Sequence, residues 1–359
     1  MSEPLRILHL LNTVRETGNG IINTAMDLAW GQARLGHEVH VASAGGEFET
    51  RLATWGVKHH RIDQQRRPLT LWRATAALRA LITEQRFDVV HAHMVTGVVL
   101  TRAARGSRAK GRPLLVGHVH NVYQRSARLI GFSDVVLCCG SSVRTQMRAA
   151  GVPEARLRVV LNGTIGSPRT PDPASVVPAT LSHPALVTVG GMNHRKGIEE
   201  LIFAFDEVAV RYPNAHLYLV GDGPDREEFE ALACASKAAK RIVFTGFQRD
   251  PVPWLRAADL FVLASRRESL PIVLGEARAA GCAIIATNVD GIPEALDEGR
   301  AGMLVPSADA AALAIAMDEL LADPAKRAEW ARAAGEGLER FRVERMVDET
   351  VALYRSFPR

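Results

Sequence analysis

Aromatic residues are scarce in this 359-residue chain, at 6%, and they do not interleave with its basic clusters. Single-stranded nucleic acid is held on aromatic platforms set among cations, so nucleic-acid binding is disfavoured. No run approaches the roughly 18 apolar residues of a membrane-crossing helix. The N-terminus, Met1-Ser2-Glu3-Pro4, passes directly into an apolar strand, so no signal peptide is expected. The four cysteines, Cys138, Cys139, Cys234 and Cys282, form no C-x-x-C pair and no metal-ligand spacing. Each is expected as a small core residue, and a reducing cytoplasm fits. No G-x-G-x-x-G follows the first strand, and no acidic residue ends the second to hold a ribose, so a dinucleotide site is weakly supported.

Apolar content of 47% and charged content of 23% describe an ordinary globular protein, long enough for two cores. The net charge of +5 hides an asymmetry. Residues 1–165 carry 22 Lys+Arg against 11 Asp+Glu, whereas the remainder carries 22 against 28. A basic half joined to an acidic half suggests that one faces an anionic surface or substrate. An Arg-rich solvated surface is the bland alternative.

Hydrophobic periodicity alternates between strands and helices. Residues 5–11 read as a buried strand, followed by the turn Gly18-Asn19-Gly20. A helical face of Ile21, Ile22, Ala25, Leu28 and Ala29 then runs to a Gly36 cap. After a strand at 38–42, residues 69–85 form an amphipathic helix. Leu71, Trp72, Leu78, Leu81 and Ile82 face inward, opposite Arg66, Arg67, Arg73 and Arg79. Strands are expected at 87–93, 113–121, 134–139 and 157–161, with a second basic cluster of Arg102, Arg105, Arg108, Lys110 and Arg112. Residues 166–184 hold five prolines and no periodicity, and read as a linker. The pattern restarts with strands at 186–189, 216–220, 241–245, 259–264 and 283–287. The fold class is therefore α/β, with two doubly wound parallel-sheet domains facing across a cleft, at 1–165 and 185–340. A final helix within 341–359 is placed to cross back to the first domain.

Ligands bind open parallel sheets beyond the carboxyl ends of their strands, and a helix N-terminus there favours phosphate. The stretch Gly190-Gly191-Met192-Asn193-His194-Arg195-Lys196-Gly197 offers small residues for close backbone approach and two adjacent cations for phosphate. Its alternative reading is a glycine turn with solvated basic residues. In Arg267–Glu276, Pro271 suits the first helical position, and the amides of Ile272 and Val273 can face a diphosphate. Glu276 can accept both hydroxyls of a ribose. Glu268 and Glu276 thus bracket a phosphate-bearing ligand, although two glutamates eight apart are a weak signal alone. His91 with His93, and His118 with His120, alternate on two strands. No carboxylate or cysteine at ligand spacing joins them, so contact with a hydroxyl-rich substrate is preferred to zinc. Asp222-Gly223-Pro224-Asp225 reads as turn chemistry rather than a metal pair.

Taken in order, the motifs of the second half are Gly190-Gly191, Lys196-Gly197, Gly221-Asp222-Gly223-Pro224, Phe244-Thr245-Gly246-Phe247, Ser265 with Glu268 and Glu276, and Asp290-Gly291-Ile292-Pro293-Glu294. Their ordered combination resembles the retaining GT-B glycosyltransferases of family 4. The first half agrees through Gly18–Gly20, Gly36-His37-Glu38-Val39, Asp88–His93, His120-Asn121 and Asn162-Gly163, so the resemblance covers nearly the whole chain. It implies that Lys196 grips the donor diphosphate and Glu276 the ribose, with backbone amides of Leu270, Pro271's neighbours Ile272 and Val273 meeting phosphate and sugar. Glu268 would contact the hydroxyls of the transferred sugar, and Gly246 and Phe247 would flank the base. His120 would sit beside the reacting sugar, and Gly18 and Gly20 near the diphosphate. The chain departs from the family where many relatives have Gly-Arg in place of Gly190-Gly191, and Arg195 would then stand in for the missing cation. Gly140 replaces a frequent Ser, Pro271 a frequent Gly, and the short segment between Asn121 and Asp134 implies reduced acceptor loops.

The resemblance implies a metal-independent hexosyltransferase with no cofactor, since its nucleotide-sugar donor, with UDP favoured over GDP, is a substrate. The sugar would pass to a hydroxyl acceptor with retention. The arginines of the first half suggest a lipid-linked or anionic acceptor and peripheral contact with an anionic membrane on its cytoplasmic face. That points to cell-surface polysaccharide, lipopolysaccharide or glycolipid synthesis, with a small soluble metabolite as the alternative acceptor. A non-hydrolysing nucleotide-sugar 2-epimerase and a non-catalytic nucleotide-sugar binder are the competing classes. The spacing of Glu268 and Glu276 argues against the first, and Lys196 with both glutamates against the second.

Overall fold

A computed structural model of the chain describes residues 3–105 and 112–357, so Arg108 and Lys110 of the second basic cluster lie outside the described residues. The chain divides into two compact units, Met1–Gly163 with Phe341–Arg359, and Thr164–Arg340.

In the first unit seven parallel strands lie in the order β3-β2-β1-β4-β5-β6-β7. They are β1 (Arg6–Leu10), β2 (Glu38–Ser43), β3 (Lys58–Arg61), β4 (Val89–Ala92), β5 (Leu114–Val119), β6 (Val135–Cys138) and β7 (Leu157–Val159). The second unit has six, ordered β10-β9-β8-β11-β12-β13. These are β8 (Ala185–Val189), β9 (His216–Val220), β10 (Ile242–Gly246), β11 (Leu260–Leu263), β12 (Ile284–Thr287) and β13 (Met303–Val305). The central strands are apolar on both faces because helices cover both sides of a parallel sheet. Both strand orders reverse beside the first strand of their unit, between β1 and β4 and between β8 and β11. In such doubly wound sheets the reversal opens a crevice at the carboxyl ends. The edge strands β3 and β13 escape the sequence reading because their half-exposed residues carry no long apolar run.

The helix Val343–Arg355 packs in the first unit against the helix Gly20–Arg34. Gly31 permits this approach, since a Cβ there would lie 2.5 Å from Val347 Cγ2. The stretch 166–184 is not a bare linker but part of the second unit. Its backbone is tied down where Ala179 N donates to Pro253 O at 2.9 Å and Ser182 N to the Tyr218 hydroxyl at 2.8 Å.

Three side chains depart from expectation. Trp72 is 69% exposed rather than inward, because the buried face of the helix Pro68–Gln85 runs through Ala74, Leu78, Leu81 and Ile82. Cys234 is exposed at the end of its helix, while the other three cysteines are buried. Pro271 is the N-cap of the helix Ile272–Ala279 with an extended ψ of 116°, one position before the first helical residue.

Candidate functional site

In the second unit the β8 strand ends at Gly190-Gly191, and the following loop is pressed against the end of β9. A Cβ on Gly221 would sit 2.0 Å from Gly190 O, and one on Gly223 2.3 Å from Met192 O. The Asp222–Asp225 segment is therefore a packed turn. Gly191 is exposed, and its carbonyl accepts from Asn193 Nδ2 at 3.1 Å. One 3-10 turn, His194–Lys196, carries the cations, and Gly197 (φ 64°) then starts the helix Ile198–Arg211 against Ala264. This turn aims Lys196 Nζ at the Glu268 carboxylate, with Arg195 Nη1 4.0 Å from Glu268 Oε1. Ser265 Oγ, at the end of β11, lies 3.5 Å from Glu268 Oε2.

Glu268 is buried, and its loop is held from behind. Asp290 Oδ2 accepts from the Glu268 N–H and from Arg267 Nε, each at 3.0 Å, while Gly291 N donates to Glu268 O at 2.9 Å. Leu270 and Pro271 are buried, and Ile272 and Val273 occupy the first turn of the next helix, where its own ladder does not engage the amides. Glu276 accepts from Thr164 Oγ1 at 3.1 Å. At the end of β10, Gly246 (φ 74°) accepts from Gly221 N at 3.0 Å, and Phe247 beyond it is 42% exposed. Lys196, Arg195 and Glu268 are thus brought together, with the Leu270–Glu276 segment directly following.

Gly18, Gly20 and His120 belong to the first unit. Gly18 (φ 68°) makes the turn, and Asn19 caps the helix beginning at Gly20 by accepting from Ile21 N at 2.9 Å. His120 is not an isolated residue. Strand order brings His9 from β1, His91 from β4 with His93 just past its end, and His118 from β5 with His120 just past its end into one buried column, with ring centroids 3.9 to 5.5 Å apart. Burial among apolar neighbours penalises the charged form, pushing His9 down to about 4 and His120 to about 3. His91, His93 and His118 are held well below the ordinary imidazole range by the same cause. Two triads, His9/His91/His93 and His93/His118/His120, bring nitrogens within 4.8 Å of one another. Each triad contains one ring-to-ring hydrogen bond, His9–His93 in the first and His93–His120 in the second, with the remaining ring brought close by stacking, and no carboxylate or thiolate belongs to either set.

Residues 18–164 match the model of Glycosyltransferase Family 4, and residues 183–323 that of Glycosyl transferases group 1. The lipopolysaccharide core biosynthesis glycosyltransferase LpsD of Rhizobium meliloti (strain 1021) is 31% identical over 70% of this chain and 69% of its own length. The chain belongs to the family 4 glycosyltransferases. LpsE of the same organism, another lipopolysaccharide core biosynthesis glycosyltransferase, is 30% identical over 63% of this chain, and that match spans 65% of LpsE. N-acetyl-alpha-D-glucosaminyl L-malate synthase of Bacillus anthracis is 26% identical over 94% of this chain and 93% of its own length. The structure of Anabaena Alr3699/HepE in complex with UDP and glucose shares the fold, with a TM-score of 0.84 at 20% identity, covering 98% of this chain and 100% of that one. The architecture of this family 4 member is accordingly that of the GT-B glycosyltransferases, two Rossmann-like parallel-sheet domains.

Sequence reasoning missed several of these residues in each unit. Thr164 lies just past the quoted Asn162-Gly163 turn, and nothing local ties it to Glu276. Asp290 was part of a motif without a role. His9 stands alone in an apolar strand, and only the pairing of β1 with β4 sets it opposite His91. Of the first unit's arginines, Arg105 is buried on Asp134 and Arg79 donates to the carbonyls of Ala103 and Ala104, so both are structural. Arg66, Arg67 and Arg73 are exposed, near Trp72 and the 59% exposed Leu69.

Proposed function

We propose that the chain is a retaining hexosyltransferase that moves a sugar from a nucleotide diphosphate donor, UDP favoured, to a hydroxyl acceptor. The observation that carries this reading is the Lys196–Glu268 pair at the strand-order reversal of the second unit, directly before the amides of Ile272 and Val273. A cation and a helix N-terminus suit a diphosphate, and a carboxylate suits sugar hydroxyls. Lys196, Arg195 and the first-turn amides stabilise the leaving diphosphate as its charge develops, without a divalent metal. Glu276, oriented by Thr164, receives the ribose, and Phe247 with Gly246 flanks the base. In the transfer, the bond from the anomeric carbon to the diphosphate oxygen breaks as the bond to the acceptor oxygen forms on the same face. The acceptor's proton passes to the departing diphosphate oxygen.

The exposed Arg66, Arg67, Leu69, Trp72 and Arg73 support an acceptor at an anionic membrane surface, as in lipopolysaccharide or glycolipid synthesis. Among the described residues no helix is long and apolar enough to cross a membrane. A second reading, a small soluble hydroxy acid or similar metabolite as acceptor, is favoured by the near-full-length match to the N-acetyl-alpha-D-glucosaminyl L-malate synthase. Incubation with a UDP-sugar and either a lipid-linked glycan fraction or L-malate, followed by product analysis, separates the two. An epimerised donor formed without acceptor would sink both.

A further inference from the structure

The buried histidines of the first unit form two hydrogen-bonded files that start from one side chain. Gln32 Oε1 lies 2.7 Å from His9 Nε2, His9 Nδ1 lies 2.9 Å from His93 Nε2, and His93 Nδ1 lies 3.1 Å from His120 Nε2. In the other direction Gln32 Nε2 donates to the Tyr354 hydroxyl at 3.3 Å. That hydroxyl meets His91 Nδ1, and His91 Nε2 lies 3.2 Å from His118 Nδ1. Each file ends on a buried ring nitrogen with no partner among the described residues, Nδ1 of His120 and Nε2 of His118. These two end rings are stacked, with centroids 3.9 Å apart.

A neutral imidazole has one N–H and one bare nitrogen, so one bond's direction sets every other bond in its file. The rings are neutral, because desolvation disfavours the imidazolium throughout the column. A carbonyl oxygen only accepts, so His9 carries its proton on Nε2 and offers bare Nδ1 to His93. His93 does the same for His120, whose Nδ1 is left as a bare acceptor. The Gln32 amino group only donates, so the Tyr354 proton points to His91 Nδ1, His91 donates from Nε2 to His118, and His118 is left with an Nε2–H donor. Turning the Gln32 amide over reverses every bond in both files. The two ends then exchange roles, but they stay opposite.

We propose that Gln32, acting through Tyr354 on one side and His9 on the other, is a positioning residue that makes His118 and His120 present one hydrogen-bond donor and one acceptor on stacked rings, a pair suited to a hydroxyl group. A hydroxyl donates and accepts at once, whereas an ionised carboxylate can only accept and an ammonium only donate. The paired polarity stands on the hydrogen-bond geometry of neutral rings and needs no substrate. That the hydroxyl belongs to a sugar rests on the glycosyltransferase reading.

Long-range proton–nitrogen spectra of the full-length protein labelled with 15N-histidine read the tautomer of each ring without substrate. All five rings are expected in one and the same tautomer, Nε2–H in the orientation described. Tyr354→Phe should leave His9, His93 and His120 unchanged and release His91 and His118 into a mixture, while Gln32→Met releases both files. Turnover, followed as nucleotide release from the donor, should fall about tenfold in kcat for either variant, the effect of one misdirected hydrogen bond, with donor KM little changed. Mixed tautomers in the wild type would overturn the proposal, as would a stoichiometric metal ion on the purified protein that shifts the ring nitrogens. Uniform tautomers with unchanged kcat in Tyr354→Phe would overturn the positioning role. Should Gln32→Met fail to fold, the wild-type spectrum and Tyr354→Phe decide the matter. Absence of any turnover with ordered tautomers would count against the transferase reading, not against the paired polarity.

Discussion

Lys196 and Glu268 hold one another as an ion pair, although the chemistry assigned to them requires each to hold a different part of a donor. On the proposed chemistry, a diphosphate arriving at Lys196 would compete with Glu268 for the ammonium and, on winning it, release a carboxylate for sugar hydroxyls. Glu268→Gln removes the competitor while keeping the shape. It should bind UDP about threefold tighter yet turn over the UDP-sugar at least tenfold more slowly. Lys196→Ala should weaken UDP roughly tenfold to a hundredfold, the worth of a charge-assisted hydrogen bond. Calorimetry on the two variants checks the opposite signs.

Gly197 and Gly291 are backbone requirements of the same site. Gly197 has φ 64°, and a Cβ there would lie 2.0 Å from Ala264 O, while one on Gly291 would lie 1.7 Å from Ser269 O. Gly197→Ala should destabilise the second unit by about 1–3 kcal/mol through strain in the left-handed region. Urea unfolding with an unchanged midpoint would contradict that.

The outline of this site was legible in the sequence because glycines, prolines and apolar runs act locally. Gly190-Gly191 ends a strand of five apolar-rich residues, and Pro271 announces a helix start to within one position. What stayed hidden was lateral. His9 joins His91 only because the chain returns β4 to the side of β1, and Gln32 and Tyr354 meet across 322 residues. Trp72 misled because a helical stripe of apolar residues does not say where its buried arc ends.

The buried histidines predict acid sensitivity. Unfolded, each takes up a proton near pH 6.5, but folded, His9 and His120 do so only near 4 and 3, and the other three also far below. The unfolded state thus binds more protons below pH 6.5, and stability falls as pH drops through that range. Each histidine contributes up to roughly 1.4 kcal/mol per pH unit. Denaturant midpoints of the first unit should decline steeply from pH 7 to pH 5, and His93→Gln should flatten the slope by about that amount.

Membrane contact through Arg66, Arg67, Arg73, Leu69 and Trp72 predicts binding that depends on lipid charge. Each arginine near an anionic surface is worth about 1 kcal/mol. Co-sedimentation with anionic vesicles should drop about fivefold for Arg67→Ala and further for Trp72→Ala, with little binding to neutral vesicles at any point. Equal binding to both vesicle types would remove the electrostatic argument.

The central claim is that the second unit holds a nucleotide diphosphate sugar on Lys196. The most direct measurement is a thermal-shift panel of UDP-, GDP- and ADP-sugars on the wild type and on Lys196→Ala. The account predicts a clear rise in the wild-type melting temperature, largest with a UDP-sugar, that is lost or sharply reduced in Lys196→Ala. No stabilisation of the wild type by any nucleotide sugar, or an equal rise in the variant, would contradict it.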